Sequence, residues 1–411
     1  MLQPVAVGHK SLADYTHLVG RDLTAEVREL AADLQGLKVL HLSATAFGGG
    51  VSEILYTLVP LMRDVGIDTH WHVMIGREEF YNATKLMHNA LQGHPLDLSP
   101  SEWRIYEEYN EMNARELESG WDVIIVHDPQ PALVRQHVAD KARNWIWRCH
   151  IDLSTPHPPT LEHLVPFLHE YDGSVFHLQQ YVPEDLVAGG KVHICPPAID
   201  PLSPKNMALS PEDAAFVCDQ FGIDVDRPLM CQVSRFDPWK DPIGVIDAYR
   251  SVTEEVPNLQ LALVGSMATD DPEGWTFFNS TLEHARGDED IKILNNLNNV
   301  GAIEVNAFQS QSDVLVQKST REGFGLTVSE ALWKARPFIG GDVGGIPLQV
   351  EDGKTGYLVS SPAECAERTI EVLRDPELGK RLGRAGKEHV REHFLTPRLL
   401  RDWLRIFGGL A

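Results

Sequence analysis

Two glutamates, Glu322 and Glu330, stand with seven residues between them in the run Ser-Thr-Arg-Glu-Gly-Phe-Gly-Leu-Thr-Val-Ser-Glu-Ala-Leu-Trp-Lys that fills 319–334. The apolar stretch just ahead, 313–317, has the length and polar boundaries of a short buried strand. Behind the loop, Leu326, Val328, Ala331, Leu332 and Ala335 form an apolar helical face that Pro337 stops. Strand, glycine-containing loop and helix together aim unpaired backbone N–H groups out of 323–326, where they and the helix dipole favour an anion. A carboxylate beside an anion is unfavourable unless it holds something else. An ionised carboxylate only accepts hydrogen bonds, so Glu322 and Glu330 suit the hydroxyls of a sugar or a ribose. An anion site flanked by two hydroxyl acceptors suits a nucleotide sugar. The alternative is a glycine loop opening a helix that carries a surface glutamate.

A phosphate also needs cations, and this chain is poor in them. Lys plus Arg is 36 against 59 Asp plus Glu, a net charge of −23. Such a balance disfavours nonspecific binding to nucleic acid or to an anionic membrane. Arg235 and Lys240 therefore stand out. They flank the turn between an apolar strand, 228–236, and a helix expected from about 243 to 256. Arg grips phosphate with two parallel hydrogen bonds and Lys adds a point charge, so a diphosphate explains the pair; a solvated pair is the alternative. A third element of the same kind comes early. The strand 37–43 runs into Phe-Gly-Gly-Gly-Val at 47–51, and Gly48, Gly49 and Gly50 would let backbone approach a phosphate closely. Neither the dinucleotide fingerprint nor the Walker A pattern is present there, so neither NAD nor a P-loop is implied.

Polar groups also gather at strand ends. The strand 121–128 ends in His127 and Asp128, and 144–152 ends in Arg148, His150 and Asp152. Carboxyl ends of α/β strands are where ligands sit; His150 and Asp152 would share a face if their strand continued, and a satisfied loop histidine and a capping aspartate are the alternative. His70 and His72 share a strand face without a nearby carboxylate or cysteine, which reads as structural or surface histidine. Asp270-Asp271 lacks a third ligand and reads as a turn. Five scattered cysteines with no Cys-x-x-Cys suggest neither a disulfide framework nor a zinc site. No apolar run approaches the ~18 residues of a membrane span and no signal-peptide core is evident, so a cytoplasmic protein is expected.

Around these motifs strands and helices alternate in both halves of the 411 residues, broken by four prolines within 196–204. The expectation is an α/β protein with two doubly wound parallel-sheet, Rossmann-like domains facing a central cleft. The first covers 1–195, 196–206 is a linker and the second covers 207–390.

The motifs together resemble those of the retaining glycosyltransferases of family 4. Glu322 and Glu330 match its E-x7-E motif, Ser-Arg-Phe-Asp-Pro-Trp-Lys-Asp-Pro its S-R-x4-K element, and Phe47-Gly-Gly-Gly-Val and Val343-Gly-Gly-Ile-Pro its early and late glycine loops. Trp145-Ile-Trp-Arg-Cys-His-Ile-Asp-Leu and Glu304-Val-Asn-Ala-Phe-Gln are closer to that family's trehalose glycosyltransferring synthase branch. Lys318 and Ala335 depart from the general pattern, which has Pro before the serine and Gly after the helix. The resemblance implies the GT-B fold, with a last helix at about 391–411 returning to the first domain. It implies a glucosyltransferase that moves glucose from a nucleoside-diphosphate glucose to glucose, forming trehalose with retention, reversibly. Trehalose phosphorylase, another sugar acceptor, and a silent nucleotide-sugar binder are the competing readings.

By the same resemblance Arg235 and Lys240 hold the donor diphosphate and Gly49 and Gly50 bring backbone to it. Glu322 binds donor-sugar hydroxyls, Phe324, Gly325 and Leu326 contact sugar or phosphate through backbone, and Glu330 holds the ribose. His150 contacts the donor sugar and Asp152 the acceptor glucose. No cofactor or metal is obligatory, although Mg²⁺ could assist, and no partner is implied beyond a second copy in a homodimer.

Overall fold

Apolar strands alternating with amphipathic helices close into two separate sheets. The computed structural model describes residues 2–187, 191–267 and 272–410, so the Asp270-Asp271 turn lies outside the described residues. The chain divides into two units, Met1–Ala198 with Thr396–Ala411, and Ile199–Leu395.

The first unit carries β1 (Gln3–Pro4), β2 (Lys38–Ser43), β3 (Asp68–Val73), β4 (Trp121–His127), β5 (Ala142–Arg148), β6 (Gly173–Phe176) and β7 (Lys191–Ile194). Their order is β1-β3-β2-β4-β5-β6-β7. All pairings are parallel except β1 against β3, an edge position that tolerates Pro4 because it needs no inward N–H. The central strand β4 is buried from Val123 to Val126, as expected of a sheet with helices on both faces. The amphipathic helix Thr396–Gly408 completes this unit.

The second unit carries β8 (Leu229–Val233), β9 (Gln260–Gly265), β10 (Ile291–Asn295), β11 (Val314–Gln317), β12 (Phe338–Gly341) and β13 (Tyr357–Val359). The order is β10-β9-β8-β11-β12-β13, parallel throughout.

Two expectations need correction. The stretch 196–206 is not one linker. Arg398 donates to the carbonyls of Pro196 and Pro197 at 2.8 and 2.7 Å, which holds those prolines on the first unit. From Ile199 onward the chain belongs to the second unit, where Asn306 donates to Pro204 O and Met207 O at 3.0 and 2.8 Å. Proline blocks regular structure but leaves carbonyls that such donors can claim. Secondly, β5 stops at Arg148, so His150 and Asp152 do not share a strand face. The backbone N–H of His150 leaves the ladder for the Asp128 carboxylate at 2.7 Å, and Asp152 turns back to accept from Ser154 N at 2.8 Å.

Candidate active site

Each sheet reverses its strand order once. In the first, β2 lies between β3 and β4; in the second, β8 lies between β9 and β11. At such a reversal the loops leaving the two neighbouring strands diverge and open a crevice at their carboxyl ends. Most of the residues singled out in the sequence fall on these loops, with His150 and Asp152 on the loop after the next strand and Glu330 on the helix Leu326–Trp333. Arg235 and Lys240 follow β8 and the loop 319–325 follows β11. Gly48–Gly50 follow β2, Asp128 follows β4, and His150 and Asp152 follow β5.

In the second unit, two ion pairs join the loops after β8 and β11. Lys240 Nζ reaches Glu322 Oε2 at 2.5 Å, with the side chains 14% and 8% exposed. Ser319 Oγ adds a 3.3 Å contact to the same oxygen. Lys318 pairs with Asp241, whose other oxygen caps the helix Pro242–Thr253 by accepting from Gly244 N at 3.0 Å. Lys318, where the broader pattern has proline, thus acts as a buried tie. Lys240 and Glu322 meet each other here, and Arg235, 66% exposed, pairs with Asp237 at 3.1 Å.

The helix Leu326–Trp333 opens on Gly325 at φ 80, a left-handed conformation that a side chain resists. A Cβ there would also meet the Glu322 side chain at 3.1 Å. The loop is clamped from the late glycine loop: Gly345 N donates to Gly323 O at 3.1 Å, and Gln349 Nε2 donates to Phe324 O at 2.6 Å. Gln349 is itself fixed by Ser329 Oγ at 2.5 Å. Glu330 lies buried on this helix, with Lys205 Nζ 3.2 Å from Oε1. Lys334 Nζ donates to Lys205 O at 2.7 Å, and burial pushes its ammonium down to about 7. The helix ends with Ala335 at φ 57, the left-handed position where the broader pattern has glycine.

In the first unit, Gly49 caps the helix Gly50–Asp64 at φ 147, and a Cβ there would meet nothing within 4 Å. The space beside this backbone is open, as a close-approaching ligand requires. His150 is half-buried and lies in a line of imidazoles. His41 Nδ1 is 2.9 Å from His127 Nε2, His127 Nδ1 is 2.9 Å from His150 Nε2, and His150 Nδ1 is 3.5 Å from His177 Nε2. Burial holds all four well below the usual imidazole range, His41 at about 3. Asp128 is pushed up to about 7 by burial, against the pull of the His150 backbone N–H and Arg148. His41 and His177 were not singled out from the sequence; the signal was a histidine within, at the end of or just past each of four strands. His70 and His72 stay apart from this line, and contrary to the expectation a carboxylate does lie near in sequence: Asp68 Oδ1 bonds His70 at 3.0 Å, and the His70 ring packs on Trp121. Among the described residues no group of three or more His, Cys, Asp or Glu could hold a metal ion, and N···N distances of 2.9 Å are those of hydrogen-bonded rings.

Residues 41–183 match the family model for the trehalose synthase N-terminal domain, and 216–389 match glycosyl transferases group 1. Over its whole length the chain is 57% identical to a trehalose synthase of Rubrobacter xylanophilus, covering 99% of that protein. The chain belongs to the trehalose synthase family. A trehalose synthase of Thermococcus litoralis is 47% identical over 97% of both chains. Among solved structures, the sucrose-phosphate synthase of Thermosynechococcus elongatus superposes with a TM-score of 0.70 at 18% identity, covering 91% of this chain and 99% of that one. The fold is GT-B, and as a member of this family the protein is a glycosyltransferase. No helix among the described residues is long and apolar enough to cross a membrane.

Proposed function

We propose that the protein transfers glucose from a nucleoside-diphosphate glucose to glucose, forming trehalose with retention of configuration, in a reversible reaction. The observation that carries this reading is the Lys240–Glu322 pair at the strand-order reversal of the second sheet, beside the N-terminus of the helix Leu326–Trp333. A cation for phosphate and a carboxylate for sugar hydroxyls are already adjacent, and each neutralises the other until a substrate separates them.

Breaking the bond between sugar and diphosphate puts negative charge on the leaving group and positive charge on the sugar. Lys240, Arg235 and the backbone N–H groups at 323–326 meet the first; Arg235, largely exposed, turns from Asp237 to the diphosphate. Fixed donors aimed at developing charge are worth about 10²–10³ in rate each. Glu322 holds the sugar hydroxyls and lies next to the developing positive charge. Phe324, Gly325 and Leu326 contribute backbone contacts, and Glu330 takes the ribose hydroxyls after releasing Lys205. On the first unit, Gly49 and Gly50 offer backbone to the phosphate, His150 contacts the donor sugar and Asp152 the acceptor glucose. The acceptor hydroxyl attacks from the leaving-group face and its proton passes to a phosphate oxygen, so the protein supplies no nucleophile. This differs from retaining hydrolases, in which a second carboxylate forms a covalent intermediate. Positive charge comes from the side chains, so no metal is obligatory, and turnover is expected to persist in a chelator.

Steady-state kinetics of Glu330→Ala and Arg235→Ala test the residue roles. Both variants are expected to lose donor use at least tenfold in kcat/KM. Unchanged donor kinetics in both would remove these residues from the site.

A further inference from the structure

In the second unit, every backbone carbonyl from Pro204 to Met207 is claimed by a side chain. Asn306 Nδ2 donates to Pro204 O and Met207 O at 3.0 and 2.8 Å. Lys334 Nζ donates to Lys205 O at 2.7 Å, and Trp333 Nε1 donates to Asn206 O at 3.2 Å. Asn206, itself buried, turns its amide back to Asp200 O at 3.1 Å and offers Oδ1 to Lys334 Nζ at 3.4 Å. No helix or strand contains this stretch, yet with its carbonyls satisfied in this way its backbone is held in place.

Two of those donors belong to the element that carries Glu330. Trp333 ends the helix Leu326–Trp333 and Lys334 caps it, three and four positions after Glu330. At that spacing the three side chains share one helix face. The face fixes the backbone of Lys205 and Asn206, and Lys205 reaches back to it, with Nζ 3.2 Å from Glu330 Oε1. The Glu330 side chain is 2% exposed and that of Lys205 is 23% exposed. A hydroxyl reaches the carboxylate only when a covering group leaves. Lys205, unbranched and partly exposed, can swing aside while its backbone stays held. An ammonium and a ribose hydroxyl are both donors, and an ionised carboxylate only accepts, so the two compete for the same oxygens. Whatever the ion pair contributes to the empty protein is therefore subtracted from nucleotide binding and regained when the nucleotide leaves.

We propose that Lys205 is an internal competitor of the donor ribose for Glu330, held in place by Trp333 and Lys334, and that its return to the carboxylate sets how fast the nucleoside diphosphate leaves. This rests on the reading of Glu330 as the ribose ligand, and the two can fail separately.

The test is calorimetric titration of the full chain with UDP, ADP and GDP and with their 2′,3′-dideoxy forms, at a single pH because Lys334 titrates close by. Lys205→Met is expected to bind the ribonucleoside diphosphates about tenfold tighter than the unaltered protein, the scale of one hydrogen bond to a charged group, and the dideoxy forms within about twofold of it. Weaker or unchanged binding of the ribonucleotides overturns the proposal. So does an equal gain for the dideoxy forms, because competition with ribose hydroxyls cannot act on a ligand that has none. The gain is expected as slower dissociation in stopped-flow fluorescence, and a gain confined to association would also overturn it. Trp333→Phe keeps Lys205 and most of the ring bulk but removes one tether. It is expected to tighten the same ligands by a smaller factor, and it carries the test should Lys205→Met fail to fold; no gain in it overturns the tethering. If Glu330→Ala leaves the preference for ribo over dideoxy forms intact, the ribose reading of Glu330 fails, whatever Lys205→Met does.

Discussion

Replacing Lys240 by methionine should do two separable things. The Lys240–Glu322 contact is 2.5 Å between side chains 14% and 8% exposed, which is a largely buried pair. Two unit charges at about 4 Å and an effective dielectric of about 20 attract by about 4 kcal/mol. Desolvation takes back much of that when both charges are present, but removing one partner leaves the other uncompensated, at about 3–5 kcal/mol. Glu322 keeps Ser319 Oγ as a second donor, so Lys240→Met is placed at the low end, near 3 kcal/mol. Glu322→Gln alone leaves Lys240 in the same position. The double variant carries no uncompensated charge, so most of the lost stability should return, with a coupling of about 2 kcal/mol. Equilibrium denaturation of the four proteins measures this cycle. Turnover should not return with it. If Lys240 faces the leaving diphosphate and Glu322 the sugar, the double variant lacks both and stays at least about 10²-fold down in kcat/KM. A coupling below about 0.5 kcal/mol would deny the pair its place in the native state, and recovery of turnover alongside stability would show that the two residues only hold the loops together.

Three further outcomes follow from local geometry. Ala335 holds φ 57 at the end of the helix Leu326–Trp333; Ala335→Gly should stabilise the second unit by about 0.5–1 kcal/mol, the left-handed penalty less the added freedom of the unfolded chain, and a lower denaturation midpoint would contradict this. The buried imidazoles make stability fall in acid. Their folded pKa values lie below the usual value of 6.5, so their contribution is complete above that pH and is lost as pH falls towards the folded values, about 3 for His41. Asp128, raised to about 7, acts oppositely and costs stability as pH rises to 7, but four histidines outweigh one carboxylate. Denaturation midpoints should therefore drop steeply between pH ~6.5 and ~5, at up to about 1.4 kcal/mol per pH unit per histidine, and a flat profile would contradict the neutral line. Glu330→Ala should raise the KM for the donor more than that for the acceptor, since Glu330 is assigned to the ribose; equal effects on both would remove that assignment.

Periodicity and glycine placement were enough to read most of the alternating strands and helices, because most strands are apolar runs ended by polar or glycine residues; the exposed edge strand Gln3–Pro4 carries no such run and was not legible. The two carboxylates, the two cations and the early glycine loop were legible by type and spacing, and all but Glu330, which sits on the helix Leu326–Trp333, lie on loops beside the strand-order reversals. What could not be read was pairing across the sheet. Nothing in the sequence neighbourhood of Lys240 says that its ammonium rests on Glu322, eighty-two positions away, or that Lys318 ties to Asp241. The imidazole line was hidden for the same reason: His41, His127, His150 and His177 become neighbours only once the order β2-β4-β5-β6 is known. Proline content marked 196–206 as irregular, but the side chains that divide it, Arg398 and Asn306, come from about a hundred or more residues away.

The most direct test of the proposed transfer is to incubate the protein with UDP-, ADP- or GDP-α-glucose and glucose and follow the product anomeric signals by NMR. The account predicts α,α-trehalose, with the nucleoside diphosphate released in equal amount and turnover in the presence of a chelator. A β-linked product would contradict retention. Trehalose formed only from glucose 1-phosphate, with none from any of the three nucleotide sugars, would contradict the nucleotide-sugar donor.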